Sequence, residues 1–297
     1  MKNKKVNQQG TLQKDPSETI CMDNLKINLN KGFINWFIGY IEGSENTFIV
    51  NRRYLRFEIN CFIKNQGIIY YIKKKLGFGN IRKLKFLNKI IIEFSVQDNI
   101  IDLLKLVKIF NGNFRSEYKN KYFYIFYKKL EKKLKKMGLS HLLPAYDNNI
   151  KKISLNNSWL LGFFDSKALF YSRWQKSKNF KNGKKIFLCI YLWSLDPVLL
   201  QTIKEVLNLN CKVEEKLKWN LPFFKLVIDD INDKNKINIY LINYKLKSVK
   251  SILFSFWKKI LVYENLNITT GVENFEKIDK ALKCLLLNIG EDELSKI

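Results

Sequence analysis

Two short segments of the sequence share a pattern that could bring carboxylates together. They are 36-WFIGYIEGSENTF-48 and 159-WLLGFFDSKALF-170, and in each a tryptophan precedes a glycine by three positions and a carboxylate by six. Two-metal phosphoryl chemistry needs carboxylate oxygens close together at one place. The segments then diverge, because the first continues as Gly-Ser-Glu and the second as Ser-Lys-Ala. The sequence therefore raises the question of whether a pair of catalytic acids is still present.

The overall charge predicts a polyanionic partner. Lys and Arg number 53 against 27 Asp and Glu, which gives a formal net charge of +26. Such an excess destabilises a compact chain by self-repulsion unless a polyanion neutralises it. Nucleic acid is the partner that this balance favours, since phosphate contacts release counterions. No apolar run approaches the roughly 20 residues needed to cross a bilayer, so we expect no membrane span.

Cysteine and histidine usage argues against a zinc site. There is no CxxC pair and the chain has one histidine, so we expect reduced, mostly buried thiols. The thiols and the imidazole belong to Cys21, Cys61, Cys189, Cys211, Cys284 and His141. The richness in Asn, Ile, Phe, Tyr and Lys suggests an A/T-rich genome such as an organelle's. The N-terminal segment does not have the features of a targeting peptide, which agrees with an organelle-encoded protein of the mitochondrial matrix.

The hydrophobic periodicity predicts one order of elements twice, α-β-β-α-β-β-α-α. A helix is predicted from Lys31 to Gly43, and the alternation over 54–62 predicts a strand with one apolar and one polar face. Asp196-Pro197 predicts the start of a helix in the second half. We therefore divide the chain into a basic N-terminal tail (1–25), a first half (26–136), a linker (137–152), a second half (153–270) and a C-terminal helical extension (271–297).

Three further segments accompany the two tryptophan-glycine motifs. They are 54-YLRFEINCFIKNQGIIYYIKKKLGFGNIRK-83, 110-FNGNFR-115 and 244-YKLKSVK-250. In this order, over about residues 31–265, they resemble the double-motif LAGLIDADG proteins, the family of homing endonucleases and group I intron maturases. The resemblance implies an α+β fold, a pseudo-symmetric saddle whose halves each carry a curved antiparallel sheet. Because both halves are in one chain, no homodimer is needed.

The resemblance also implies that the two motif helices pack side by side at the centre. Close approach needs small residues on the facing sides. Gly39 and Gly43 in the first helix have the same spacing as Gly162 and Ser166 in the second. A glycine inside a helix costs about 1 kcal/mol relative to alanine, so the repeated spacing favours a packing role. The acidic residues of the two motifs themselves, Glu42 and Asp165, are implied to be structural.

In the active family, an acid at the end of each motif helix holds divalent metal. Counting from Gly39 gives Ser44 at that position, and a one-residue bulge would place Glu45 there instead; the second position is Lys167. At an effective dielectric of about 20, a cation some 4 Å from a divalent metal is opposed by several kcal/mol. We therefore expect no catalytic residue, no metal and no cofactor. The chain is then predicted not to be an enzyme, with Lys167 meeting a phosphate directly.

Basic and polar side chains along the sheets and turns are the predicted nucleic-acid contacts. The first sheet keeps a polar face of the kind that reads base edges, whereas 186-IFLCIYLW-193 in the second is apolar on both faces. The predicted contacts are Arg52, Arg53, Arg56, Asn60, Lys73, Lys74, Arg82, Lys83, Lys85, Arg115, Lys167, Arg173, Lys176, Lys184, Lys247 and Lys250.

Three functions from different classes stay open. The favoured one is a catalytically inactive RNA-binding protein, a structural constituent of a mitochondrial ribosome that binds rRNA and neighbouring ribosomal proteins. The changed acid positions, the basicity and the apolar second sheet support it. The close alternative is a group I intron maturase, an RNA splicing cofactor. The third is an active site-specific DNA endonuclease, which Lys167 disfavours.

Overall fold

The protein is described here from a computed structural model that covers residues 28–45, 47–51, 54–86, 89–178, 184–218, 221–266 and 272–288. The predicted N-terminal tail (1–25), Cys21, Arg52 and Arg53 lie outside these residues.

Within the described residues, the first half has four α-helices and four strands in the predicted order. They are α1 (Lys31–Gly43), β1 (Phe48–Val50), β2 (Leu55–Phe62), α2 (Gln66–Leu76), β3 (Asn80–Phe86), β4 (Lys89–Gln97), α3 (Ile100–Phe110) and α4 (Glu117–Lys136). The side-chain amide oxygen of Asn30 accepts the backbone N–H of Gly32 at 2.7 Å and so caps the start of α1.

The second half repeats the order and adds one helix. Its elements are α5 (Trp159–Lys167), β5 (Leu169–Lys176), β6 (Lys184–Ser194), α6 (Pro197–Val206), β7 (Val213–Lys218), β8 (Leu221–Ile228), α7 (Ile231–Asn243), α8 (Lys250–Asn265) and α9 (Val272–Asn288). Asp196 caps α6 and Pro197 occupies its first turn, as predicted. The helix α9, in the predicted C-terminal extension, packs on α8 and β5.

Each half folds around one antiparallel sheet of four strands. The strand orders are β1-β2-β4-β3 and β5-β6-β8-β7, so the second sheet repeats the topology of the first. One face of each sheet is buried under the helices, through residues such as Phe57 and Phe94 in the first half and Leu188 and Leu226 in the second. The predicted α+β fold with two pseudo-symmetric halves is confirmed.

The opposite face differs between the sheets. On β2 it carries Arg56, Glu58 and Asn60, which are partly or fully exposed. On β6 it carries Cys189, Tyr191 and Trp193, which are at most 6% exposed. Because side chains alternate along a strand, the first sheet has one apolar and one polar face, whereas both faces of the second sheet are mainly apolar.

The two motif helices α1 and α5 pack side by side at the centre and run in the same direction. The Ser158 hydroxyl donates to the Gly32 carbonyl near their N-terminal ends, at 2.5 Å. A Cβ atom on Gly39 would fall on the carbonyl oxygen of Trp159. A Cβ atom on Gly162 would meet the carbonyl oxygen of Trp36 in the same way. The backbones touch here because neither glycine has a side chain.

Two expectations from the composition can be compared with the described residues. None of the described helices combines the length and apolarity that a bilayer crossing needs. Cys189 is buried, whereas Cys61, Cys211 and Cys284 are half-buried, so the thiols are less buried than expected.

Candidate active site and nucleic-acid interface

Glu42, near the end of α1, is buried between the two halves. Its carboxylate accepts the backbone N–H groups of Arg115 at 2.6 Å and Ser116 at 2.7 Å, and the indole N–H of Trp159 from the other half. Burial raises the pKa of this carboxyl to about 7, although the Arg115 and Trp159 hydrogen bonds oppose the rise. The geometry makes Glu42 a structural acid that joins α1, α4 and α5.

Asp165 occupies the matching place at the end of α5. Its carboxylate accepts the backbone N–H groups of Lys247 at 3.0 Å and Ser248 at 2.9 Å, and the indole N–H of Trp36 at 2.9 Å. Each motif helix thus holds the tryptophan of the other through a buried carboxylate. The reciprocal pair leaves both acids hydrogen-bonded and 6% or less exposed.

The C-terminal ends of α1 and α5 place Glu45 and Lys167 against each other. The Lys167 ammonium donates to the Glu45 carboxylate at 2.6 Å, with side-chain exposures of 16% and 59%. The Ser44 hydroxyl instead donates to the Tyr40 carbonyl at 2.8 Å and lies 3.3 Å from the hydroxyl of Ser166. Glu45 therefore offers the carboxylate at this end, and Ser44 belongs to the helix contact.

Two further lysines flank these helix ends symmetrically. The Lys119 ammonium donates to the Ser44 carbonyl, and the Lys250 ammonium donates to the Ser166 carbonyl at 3.0 Å. Burial, with the Lys167 charge as the next cause, lowers the pKa of Lys119 to about 8. Lys250 was predicted as a contact, but Lys119 was missed. The repeat could have revealed it, because Arg115-Ser116 precedes α4 as Lys247-Ser248 precedes α8.

A cavity of about 490 Å³ opens beneath these ends and is lined mainly by the first half. Glu45, Lys119 and Lys167 line it together with Glu58 from β2 and Asp196 from the start of α6. The Ser116 hydroxyl donates to Asp196 at 2.6 Å, which ties the start of α4 to the second half. The cavity is large enough for a phosphate and an attacking water. Its lining combines the ammonium groups of Lys119 and Lys167 with four carboxylates, from Glu42, Glu45, Glu58 and Asp196.

The residues at the helix ends do not fit the two-metal centre that the resemblance implies. Lys167 stands at the second acid position and forms an ion pair with Glu45, the acid of the first. Within the described ranges, no cluster of three or more His, Cys, Asp or Glu side chains could hold a metal ion. The prediction that the chain uses no metal stays a prediction.

The polar face of the first sheet brings together three of the predicted contacts. Arg56 forms an ion pair with Glu58 at 2.9 Å and another with Glu93. Asn60 donates to Glu58 at 2.9 Å, and Arg82 lies opposite Glu93 in the register of β3 and β4. Donors and acceptors therefore alternate across this face, which suits the reading of base edges. Glu93 was not among the predicted residues.

Several other predicted contacts lie elsewhere. Lys83 and Lys85 are paired with Ile92 and Ile90, so they lie on the face of the sheet opposite Arg56. Lys73 and Lys74 are in the last turn of α2, where Lys73 donates to the Gly79 carbonyl.

Arg115 and Lys247 also point away from the helix ends. The Arg115 guanidinium lies 5.8 Å from the centre of the Trp159 ring and donates to Asn35 at 3.1 Å. The Lys247 ammonium lies 5.5 Å from the centre of the Tyr71 ring. Their role as nucleic-acid contacts stays a prediction.

The matching face of the second sheet is built from rings and cations. The Lys225 ammonium lies 4.6 Å from the centre of the Tyr191 ring and 5.9 Å from that of Trp193. Arg173 lies over the Phe187 ring at 5.5 Å. Lys176 and Lys184 are opposite each other at the far ends of β5 and β6. Cation–π contacts thus replace the ion pairs of the first sheet. Lys225 was not among the contacts predicted from the sequence.

Residues 160–261 match the family model described as LAGLIDADG endonuclease. A relative from Neurospora crassa, named "Probable intron-encoded endonuclease 4", is 34% identical over 46% of this chain and 23% of its own length. A relative from Schizosaccharomyces pombe, named "Uncharacterized cox1 intron-2 37.2 kDa protein", is 28% identical over 71% of this chain and 61% of its own length. The chain thus spans about a quarter to three fifths of the length of these relatives.

Among solved structures, the LAGLIDADG homing endonuclease I-GzeII in complex with its DNA target has the same fold. The TM-score is 0.67 at 17% identity, over 89% of this chain and 99% of that one. The prediction that the chain is not an enzyme is wrong, because the family model, the Neurospora relative and this structure are all named as endonucleases. The predicted ribosomal role and RNA partner stay predictions.

Proposed function

We propose that this chain, a double-motif LAGLIDADG protein, is an intron-encoded endonuclease that binds duplex DNA across its two sheets and cuts it at the ends of α1 and α5. The observation that carries the proposal is the convergence of Glu45, Lys119, Lys167 and Lys250 on those ends. The names of the relatives and the net charge of +26 support it. We also propose that the gene is organellar and that the protein acts in the mitochondrial matrix.

The groups at the helix ends can assist hydrolysis of a phosphodiester. Water attacks phosphorus, its proton passes to the Glu45 carboxylate, and the bond from phosphorus to the leaving oxygen breaks. Lys119, whose pKa burial lowers to about 8, can give the leaving oxygen its proton near neutral pH. Lys167 and Lys250 place positive charge where the phosphate gains negative charge.

The two helix ends offer different chemistry to the two DNA strands. In a pseudo-symmetric saddle, each motif helix ends against one strand. Glu45 supplies a proton acceptor at the end of α1, whereas Lys167 supplies a cation at the end of α5. We therefore propose that the enzyme nicks one strand.

The test uses a supercoiled plasmid that carries the DNA spanning the insertion point of the intron. We expect wild-type protein to convert it to open circles, and Glu45→Gln to be slower by about a hundredfold, as for loss of a general base. Ser44→Ala is the matched control and should leave the rate within about twofold, since the Ser44 hydroxyl bonds only within the helix contact and its backbone carbonyl, which Lys119 contacts, is kept. An uncut plasmid with wild-type protein, with and without Mg²⁺, would contradict the proposal.

Two alternatives from the sequence stay predictions. A maturase would bind intron RNA, and a ribosomal constituent would sediment with ribosomal subunits at moderate salt. Both can be examined with the same protein, by isolating it after gentle lysis and identifying the RNA that accompanies it.

A further inference from the structure

A second cavity, of about 640 Å³, lies at the opposite ends of the motif helices. Its lining includes the first turn of α1, the residues just before α5, the last turn of α2 and the connection between α7 and α8. The 13 residues of α1 span about 20 Å at 1.5 Å per residue, so this cavity is well separated from the helix ends that carry Glu45. We name it the lysine cavity.

The charge of the lysine cavity is of one sign. Lys31, Lys75, Lys245 and Lys247 line it, and no carboxylate is among its described lining residues. All four side chains are exposed. In the part of the chain that is described, no ion pair joins any of these four ammonium groups to a carboxylate. Four like charges around one concavity repel each other, and an anion in the cavity would relieve that repulsion.

The lysine cavity also contains a fixed aromatic ring. The Tyr71 ring lies edge-on to Trp36 at 5.3 Å and to Phe33 at 5.9 Å, and it is half-buried. The ammonium groups of Lys75 and Lys247 lie 6.0 and 5.5 Å from its centre. A planar ring with cations beside it suits a base together with its phosphate.

Side-chain amides complete the lining. Five asparagines surround the lysines. They are Asn30, Asn35, Asn156, Asn157 and Asn243. The amide oxygens of Asn30, Asn35 and Asn157 accept hydrogen bonds within the protein, and an amide NH2 group can donate to a base edge or a ribose hydroxyl. A duplex is a convex cylinder and does not enter a concavity of this size, whereas an unpaired nucleotide does. Proteins recognise unpaired RNA by this combination of stacking, amide hydrogen bonds and phosphate contacts.

We propose that the lysine cavity binds an unpaired RNA segment, with one nucleotide inside and the neighbouring phosphates on the lysines. The site is independent of the saddle and of the proposed DNA cleavage, so RNA and duplex DNA can be held at once. Lys31, Lys75 and Lys245 are the principal phosphate contacts.

The binding test compares two charge reversals of equal size. Lys31→Glu, Lys75→Glu and Lys245→Glu are combined in one variant, and Lys132→Glu, Lys135→Glu and Lys136→Glu, which are exposed on α4, form the control. With a fluorescent oligouridylate we expect the cavity variant to bind at least about tenfold more weakly, and its salt dependence to fall by about two in log–log slope. The control should change by less than about threefold. Equal weakening in both variants would overturn the proposal.

A second measurement needs no mutation of the cavity. Amine acetylation of the wild-type chain, read by mass spectrometry, should be slowed at Lys31, Lys75 and Lys245 by oligouridylate and unchanged at Lys132. Duplex DNA carrying the insertion point should leave the three cavity lysines reactive. Protection by the duplex, or equal affinity for oligouridylate and oligodeoxyuridylate, would overturn the assignment to RNA. The cavity variant should nick the plasmid at the wild-type rate, so this proposal and the proposed cleavage can fail separately.

Discussion

In the first sheet Arg56 lies between two carboxylates, whereas in the second sheet Lys225 lies between two aromatic rings. Both side chains occupy the face of the sheet that is turned away from the helices. Ion pairs can exchange their partners for base edges, whereas a cation packed on rings is held by burial. If the chain binds DNA as proposed, this difference concentrates sequence readout in the first half and leaves the second half to supply mainly charge.

A similar contrast holds at the motif helices. Their architecture is reciprocal, since Glu42 holds Trp159 and Asp165 holds Trp36. Their ends are not reciprocal, because Glu45 faces Lys167. The molecule thus combines a symmetric framework with asymmetric groups at the helix ends, and substitutions can perturb the framework and the ends separately.

The largest effect should come from breaking the symmetric framework. Gly39→Ala places a methyl group on the Trp159 carbonyl, so it should lower the free energy of unfolding by about 3 kcal/mol or more. Gly67→Ala in α2, where a Cβ atom meets nothing within 4 Å, should raise it by about 0.5–1 kcal/mol. Denaturant unfolding measures both. A Gly39→Ala protein as stable as wild type would contradict the backbone contact.

The pH dependence of stability should report the buried acid of the framework. The pKa of Glu42 is about 7 in the folded chain and 4.5 as its ordinary value, so the folded state binds the proton more tightly. Its contribution is fully present below pH 4.5 and is lost as pH rises to about 7, by about 3 kcal/mol in total. Unfolding of Glu42→Gln across this range should lack that loss. A wild-type curve parallel to that of Glu42→Gln would contradict it.

The contrast between the sheets is tested by specificity. Arg56→Ala should relax discrimination at one or two base pairs by about 1–3 kcal/mol, whereas Lys225→Met should weaken all sequences alike. Binding to a library of target variants measures both. Loss of discrimination in the Lys225 variant alone would reverse the assignment of the two sheets.

A smaller effect is expected at the helix ends. If Lys119 donates a proton, kcat/KM for nicking should fall as pH rises through about 8, by about tenfold per pH unit. Lys119→Arg keeps the charge and should give a profile that stays flat to higher pH. Identical profiles would remove Lys119 from the proton transfer.

Local patterns predicted much of this framework. The helix over Lys31–Gly43 and the start of α6 at Asp196-Pro197 are each visible within a few residues of sequence. The close approach of Gly39 and Gly162 joins distant residues, and the family resemblance implied it. The two helix predictions depend on caps and periodicity, which are local properties.

Long-range contacts were not predictable in the same way. Lys83 and Lys85 fall on the face opposite Arg56 because side chains alternate along a strand, and strand pairing decides which face is polar. The contact of Lys119 with Ser44 and the ion pair of Glu93 with Arg56 join residues far apart in sequence. The names of the relatives corrected the inference of inactivity that the changed acid positions, Ser44 and Lys167, had suggested.

The most direct measurement of the asymmetry is a strand-resolved cleavage assay. Duplex DNA spanning the insertion point is labelled at either 5′ end and incubated with wild-type protein or with Glu45→Gln. The asymmetric helix ends predict that wild-type protein cuts one labelled strand and that Glu45→Gln cuts neither. Equal cutting of both strands by wild-type protein, or cutting that survives Glu45→Gln, would contradict the assignment of chemistry to the end of α1.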